Sequence, residues 1–167
     1  MSSGYFPLSA MITKTEYVDL LKEKTGAFTH GHTFSHHPVA CMVGHSVLRY
    51  IEDHRLLENC EKQGRYLLQR LDELKSFSFV GDVRGKGLMT AIEFVKDKNT
   101  KTPFPRNNRF TEKVIDLAFE NGLVLYPGIG FVDGTNGDMV MIGPPLTIQA
   151  GEIDEIIDIL KMTFSQI

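Results

Sequence analysis

Val39, Val43, Val47, Tyr50 and Ile51 recur at intervals of one helical turn, and Pro38 stands just ahead of them. A proline is tolerated in a first helical turn, so the spacing predicts a helix that begins there. Leu57, Cys60, Leu67, Leu68, Leu71 and Leu74 repeat the pattern and predict a second helix, offset from the first near His54. Gly64 lies inside that second pattern. A glycine weakens a helix, and it also permits a close backbone approach. Upstream, Leu8 to Ile12 reads as a short buried strand. A helix over about Lys14 to Lys24 follows it, with Thr13 or Thr15 as N-cap. Gly26 to His37 is polar and reads as loop.

The pattern changes after Leu74. Phe79 to Val83 and Gly87 to Val95 read as strands separated by Arg84-Gly85-Lys86. Lys96 to Asn108 contains Pro103 and Pro105 and reads as an exposed loop. Phe110, Val114, Leu117 and Ala118 predict a helix that Gly122 closes. Leu123 to Tyr126 predicts a strand ended by Pro127-Gly128. Gly128 to Asp138 is a glycine-rich loop, and Met139 to Ile142 a strand stopped by Pro144-Pro145. Ile153, Ile156, Ile157, Leu160 and Phe164 line one face of a last helix, about Ala150 to Phe164. The order from Phe79 is strand, strand, helix, strand, strand, helix. Such a segment makes a two-layer α/β unit with helices on one face of a small sheet. Residues 1 to 55 do not close on themselves and expose apolar faces that need a partner layer.

Four histidines crowd the segment His30-Gly31-His32-Thr33-Phe34-Ser35-His36-His37. A metal site is one reading, but no Cys, Asp or Glu shares the cluster and its spacing matches no closed zinc pattern. Glycine and hydroxyl residues just before a helix N-terminus also suit an anion, because backbone N–H groups and hydroxyls converge there. An exposed polar loop with an N-cap is the remaining reading, and the residues alone leave the last two open. Arg84, flanked by Gly85, can present a planar fork to a carboxylate, or can be one of two basic residues in a surface turn. Cys41 reads as a core residue and Lys14 as a surface residue at a helix start. The GIGFVDGTNG stretch from Gly128 joins strand to strand, so it lacks the strand-then-helix context of a dinucleotide loop.

Composition narrows the class. The chain has 167 residues, 42% hydrophobic and 23% charged, with a formal net charge of −3. That length supports a sizeable core. The charge gives no support to a nucleic-acid partner. Two cysteines make a disulfide framework unnecessary and favour a reducing compartment. No apolar run reaches the ~20 residues of a membrane helix. A cytoplasmic protein with no membrane or nucleic-acid partner is the resulting expectation.

Several stretches resemble the C-terminal part of class III aminotransferases, the pyridoxal-phosphate enzymes of fold type I. The resemblance is strongest to the omega-amino-acid and adenosylmethionine–aminononanoate types. SSGYFPLSA is similar to the segment just after their Schiff-base lysine. There relatives read lysine, glycine, an aliphatic residue or methionine, then S-S-G-Y-x-P-L. GHTFSHHPVAC resembles their G-H-T-F-S-G-H-P-V-A loop. VRGKGLM and the later YPG, DG, GD and PPL follow in family order. The resemblance implies a fold: the C-terminal portion of a fold-type-I aminotransferase. Residues 1–55 would be a helical remnant of the large cofactor-binding domain, and residues 56–167 the two-layer small C-terminal α/β domain.

The resemblance also implies roles. Thr33 matches the threonine that binds the cofactor phosphate of the neighbouring subunit, with the Phe34 backbone N–H assisting. Arg84 matches an arginine that pairs with an active-site glutamate or meets the substrate carboxylate. His36 stands where many relatives have glycine, and Asn136 where some carry arginine. The Schiff-base lysine would lie two residues before Met1, so no lysine of this chain matches it and no catalytic residue is assigned. The pyridine-pairing aspartate, the ring-stacking aromatic and the glycine–serine phosphate loop match no part of these residues either. The expectations are therefore these. The parent family uses pyridoxal 5'-phosphate and moves an amino group from an amine or amino acid to a keto acid as a homodimer. This chain alone is inactive and holds no cofactor covalently. As alternatives, it is a non-catalytic oligomerisation module, or one half of a split enzyme whose N-terminal half is supplied separately.

Overall fold

A computed structural model describes residues 1–167, which form two compact units, Met1–Arg55 and Leu56–Ile167.

The first unit contains α1 (Thr15–Thr25) and α2 (Pro38–Asp53). Gly26 ends α1 with φ +78°, and its N–H donates to the Lys22 carbonyl at 2.8 Å. A left-handed glycine is the usual way to satisfy a last helical carbonyl. The N-cap is Lys14, not Thr13 or Thr15, and its side chain makes no capping bond. Lys14 is well exposed and pairs with Glu16 at 3.4 Å, as its surface reading implied. Pro38 opens α2, and the His37 ring at the N-cap accepts from the Ala40 N–H. Only Ala40 and Gly44 are buried in the two helices. Cys41 is exposed, which corrects its reading as a core residue: its turn of α2 faces outward from Ala40 and Gly44.

The strand expected at Leu8 to Ile12 does not form; the segment is irregular. A strand needs a neighbour to take its N–H and C=O groups, and the sequence supplies none here. Leu8 instead lies half-buried over Gly44, and Ile12 is 95% exposed.

The second unit runs α3 (Leu56–Asp72), β1 (Val80–Lys86), β2 (Met89–Phe94), α4 (Phe110–Glu120), β3 (Tyr126–Ile129), β4 (Asp138–Ile142) and α5 (Ala150–Phe164). The strands make one antiparallel sheet in the order β1-β2-β4-β3. Along β2 and β4 burial alternates residue by residue, the mark of a sheet with one face in the core. Leu67 and Leu71 of α3, Val114 and Ala118 of α4, and Ile153, Ile157 and Leu160 of α5 close over Val80, Ile92, Phe94 and Val140. This is the two-layer α/β arrangement that the order of elements implied. Phe77, Phe79, Phe94, Phe104, Phe110 and Phe164 form a continuous aromatic group in that core.

Two strand limits differ from the sequence reading. Arg84, Gly85 and Lys86 belong to β1, and the hairpin turns at Gly87-Leu88, with Gly87 at φ +56°. β3 begins at Tyr126 and includes Pro127 and Gly128. β3 is an edge strand, where a proline costs no ladder bond. The loop after it is not a loose connection. Gly130 and Val132 donate backbone N–H groups to Gly137 and Asn136, and the Asp133 carboxylate accepts from Thr135 N and Asn136 N at 2.9 and 2.6 Å.

Candidate functional site

Thr33 and Phe34 lie in a turn that leads into α2. Ser35 N donates to the His32 carbonyl at 2.9 Å, His37 N to the Phe34 carbonyl at 3.2 Å, and His32 N to Ser35 Oγ at 3.0 Å. These bonds shape the turn and leave the N–H groups of Thr33 and Phe34 and the Thr33 hydroxyl without a partner in the chain. Both residues are exposed. The turn thus offers two backbone donors and one hydroxyl to an outside group, and such donors at a helix entry suit an anion. His30 and His32 meet edge to face at 5.1 Å between ring centres, and no three His, Cys, Asp or Glu side chains converge anywhere in the chain.

Arg84 stands on the face of the sheet opposite the helices. Cross-strand pairing sets it in a row with Ala91, Met141 and Tyr126. Asp82 and Glu93 form a direct pair in the neighbouring row. Asp82 is two residues from Arg84 on one strand, so period-two alternation puts both on one face. Arg84 Nη1 donates to Asp82 Oδ2 at 3.0 Å and to Glu93 Oε2 at 2.5 Å. Nε and Nη2 have no partner in the chain. The Glu93 hydrogen bond, then that of Asp82, holds the Arg84 pKa above its ordinary value. Partial burial pushes Asp82 upward, but the Arg84 hydrogen bond and the Val83 N–H outweigh it and leave its pKa lowered. With half of its side chain exposed, the arginine remains open to solvent.

The two partners of Arg84 were not read from sequence. Asp82 was within reach of the alternation rule. Glu93 required the hairpin register, and placing the turn at Arg84-Gly85-Lys86 obscured it. Asn136 is likewise engaged: its Nδ2 donates to Asp133 Oδ2 at 2.9 Å, and its Oδ1 accepts from Arg106 N at 3.1 Å. Asn136 thus ties the glycine-rich loop to the segment before α4.

Residues 1–164 match the family model of the class III aminotransferases. The uncharacterized aminotransferase YodT of Bacillus subtilis is 38% identical over all of this chain and 38% of its own length. The putrescine–pyruvate aminotransferase of Pseudomonas aeruginosa is 33% identical over 99% of this chain and 34% of its own length. Among solved structures, a transaminase from the marine bacterium Virgibacillus superposes with a TM-score of 0.90 at 31% identity, over 99% of this chain and 37% of that one. An aminotransferase of Bacillus anthracis gives 0.89 at 35% identity, over 99% and 37%. The chain therefore spans little more than a third of the length of the relatives it matches. Class III aminotransferases depend on pyridoxal phosphate, and one matching amine transaminase structure is of the cofactor-bound form. No helix is long and apolar enough to cross a membrane. The family match over nearly every residue, joined to close superposition, makes this chain a member of the class III aminotransferases.

Proposed function

We propose that these residues are the C-terminal part of an enzyme that moves an amino group from an amine or amino acid to a keto acid. Residues 1–55 belong to its large domain and residues 56–167 form its small domain. The match over residues 1–164, at little more than a third of the relatives' length, carries this reading.

Thr33 and Phe34 are the proposed phosphate contacts of pyridoxal phosphate, and in a homodimer they serve the neighbouring subunit. Their unpartnered hydroxyl and N–H groups fit an anion, and fit only that end of the cofactor. When bound, the cofactor supplies the electron sink that makes amino transfer possible. Arg84 is the proposed contact for a substrate carboxylate, supported by the free Nε–Nη2 edge of its fork. Cytoplasmic placement belongs to the same reading and is supported by two free cysteines.

Covalent attachment of the cofactor needs the family's Schiff-base lysine, and no lysine among these residues matches its position in the resemblance. The 167-residue chain alone should therefore catalyse no amino transfer. An assay with added cofactor, an amine donor and pyruvate tests this, together with mass spectrometry after borohydride treatment. Turnover, or a lysine carrying a reduced pyridoxal group, overturns it.

A second reading has one observation in its favour. Residues 1–55 bury almost nothing while Tyr17, Leu20, Phe28, Val39, Met42 and Leu48 lie exposed. The chain is then a non-catalytic module that oligomerises, or one half of a split enzyme. Light scattering coupled to size exclusion tests this reading, and a well-behaved monomer counts against it.

A further inference from the structure

Arg84 carries one positive charge, while the two carboxylates on its Nη1 carry two negative charges, so the group as a whole is −1. The three side chains share one face of the β1–β2 hairpin, where the Arg84 row continues into the half-buried Ala91 and Met141 and the exposed Tyr126. The same nitrogen serves both carboxylates. They therefore fix the guanidinium plane without occupying its Nε–Nη2 edge. A ligand carboxylate approaching that edge finds a bidentate donor. It also feels repulsion from two anions held a few ångströms away.

We infer that Asp82 and Glu93 set the charge selectivity of Arg84. They orient its free edge and weaken its grip on carboxylates, so that this face disfavours substrates bringing more than one carboxylate and tolerates uncharged or cationic groups. The inference rests on the reading of Arg84 as a carboxylate contact. Asp82 and Glu93 act through Arg84 and are positioning and selectivity residues.

The test is a titration of the full chain with propionate at constant ionic strength, followed by NMR through the Arg84 Nε–H signal and the backbone N–H of its cross-strand neighbour Ala91, with propionamide as the neutral control. E93Q and D82N should each bind propionate about two- to fivefold more tightly than the unsubstituted chain, the range of one partly exposed charge pair. E93D, which keeps the charge, should bind as the unsubstituted chain does. Propionamide should distinguish none of them. If E93Q and D82N bind propionate no more tightly, or E93D gains as much as E93Q, the selectivity role fails while the Arg84 contact stands. If the Ala91 N–H of R84Q shifts with propionate as it does in the unsubstituted chain, or no form responds at all, the Arg84 contact itself fails and the inference goes with it.

Discussion

Gly64, midway along α3, lies against the backbone of Gly87 at the β1–β2 turn. A Cβ on Gly64 would come 2.4 Å from the Gly87 carbonyl carbon and oxygen. The atoms in the way are backbone, so they cannot rotate aside. Gly87 is confined in turn, because its φ is +56° and its own Cβ would meet Cys60 Sγ at 2.9 Å. The helix accepts a poor helix former because the hairpin needs the space.

Gly64→Ala should therefore destabilise the chain by about 1–3 kcal/mol, the usual range for overpacking. That loss comes despite the ~1 kcal/mol of helix propensity that alanine gains. Thermal unfolding of both proteins measures it, and an unchanged or raised Tm would show that the two backbones are not in contact.

Asp138 is buried at the start of β4, where Oδ1 accepts from Thr111 N at 3.0 Å and from Thr111 Oγ1 at 2.8 Å. The carboxylate serves the first turn of α4, whose N-cap Arg109 makes no side-chain capping bond. Asp138→Ala strands two buried donors and should cost about 2–4 kcal/mol, the sum of two such penalties at the low end of their range. Thr111→Val, which removes one donor of the pair, should cost less. Urea denaturation midpoints give both values, and equal losses would refute the two-donor account.

Glu112 takes hydrogen bonds from both terminal nitrogens of Arg106, one at 3.0 Å, and this pairing lowers its pKa from 4.5 to about 2. A carboxyl whose folded pKa is depressed adds stability above its unfolded value and loses it as pH falls through the folded one. The stability advantage of the unsubstituted chain over Glu112→Gln should hold above pH 4.5 and shrink toward pH 2. Paired denaturation curves across that window test it, and a difference independent of pH would remove Glu112 as the titrating group.

α1 has no buried residue, whereas Ile153, Ile157 and Leu160 of α5 are fully buried. Local opening is easiest where few apolar contacts hold an element. In a monomeric chain the amides of Thr15–Thr25 should exchange with deuterium at least ~100-fold faster than those of Ala150–Phe164. Equal protection would mean that another surface covers α1, which favours the oligomeric reading.

Local sequence determined much of this protein. The spacing of Val39, Val43 and Val47, and of Ile153, Ile157 and Leu160, sufficed for two helices, because helical periodicity is a property of neighbouring residues. The order of strands and helices from Phe79 sufficed for a two-layer α/β unit. Four motifs in family order sufficed for the aminotransferase resemblance. Glycine and hydroxyl residues ahead of a helix left an anion site open as one reading, and the resemblance implied Thr33 and Phe34 for it.

Tertiary structure decided the rest, for reasons that are non-local. Leu8 to Ile12 is apolar enough for a strand, but strand formation depends on a neighbour, and none is present. Pro127 reads as a strand end and is a strand residue, because only the sheet order shows that β3 lies at an edge. Gly64 announced a close approach, and only the packing of α3 identified Gly87 as the reason. Arg84 was legible as a fork beside Gly85. Its orientation and the anions around it belong to the hairpin register, which brings Glu93 from nine residues away to the same nitrogen that Asp82 holds.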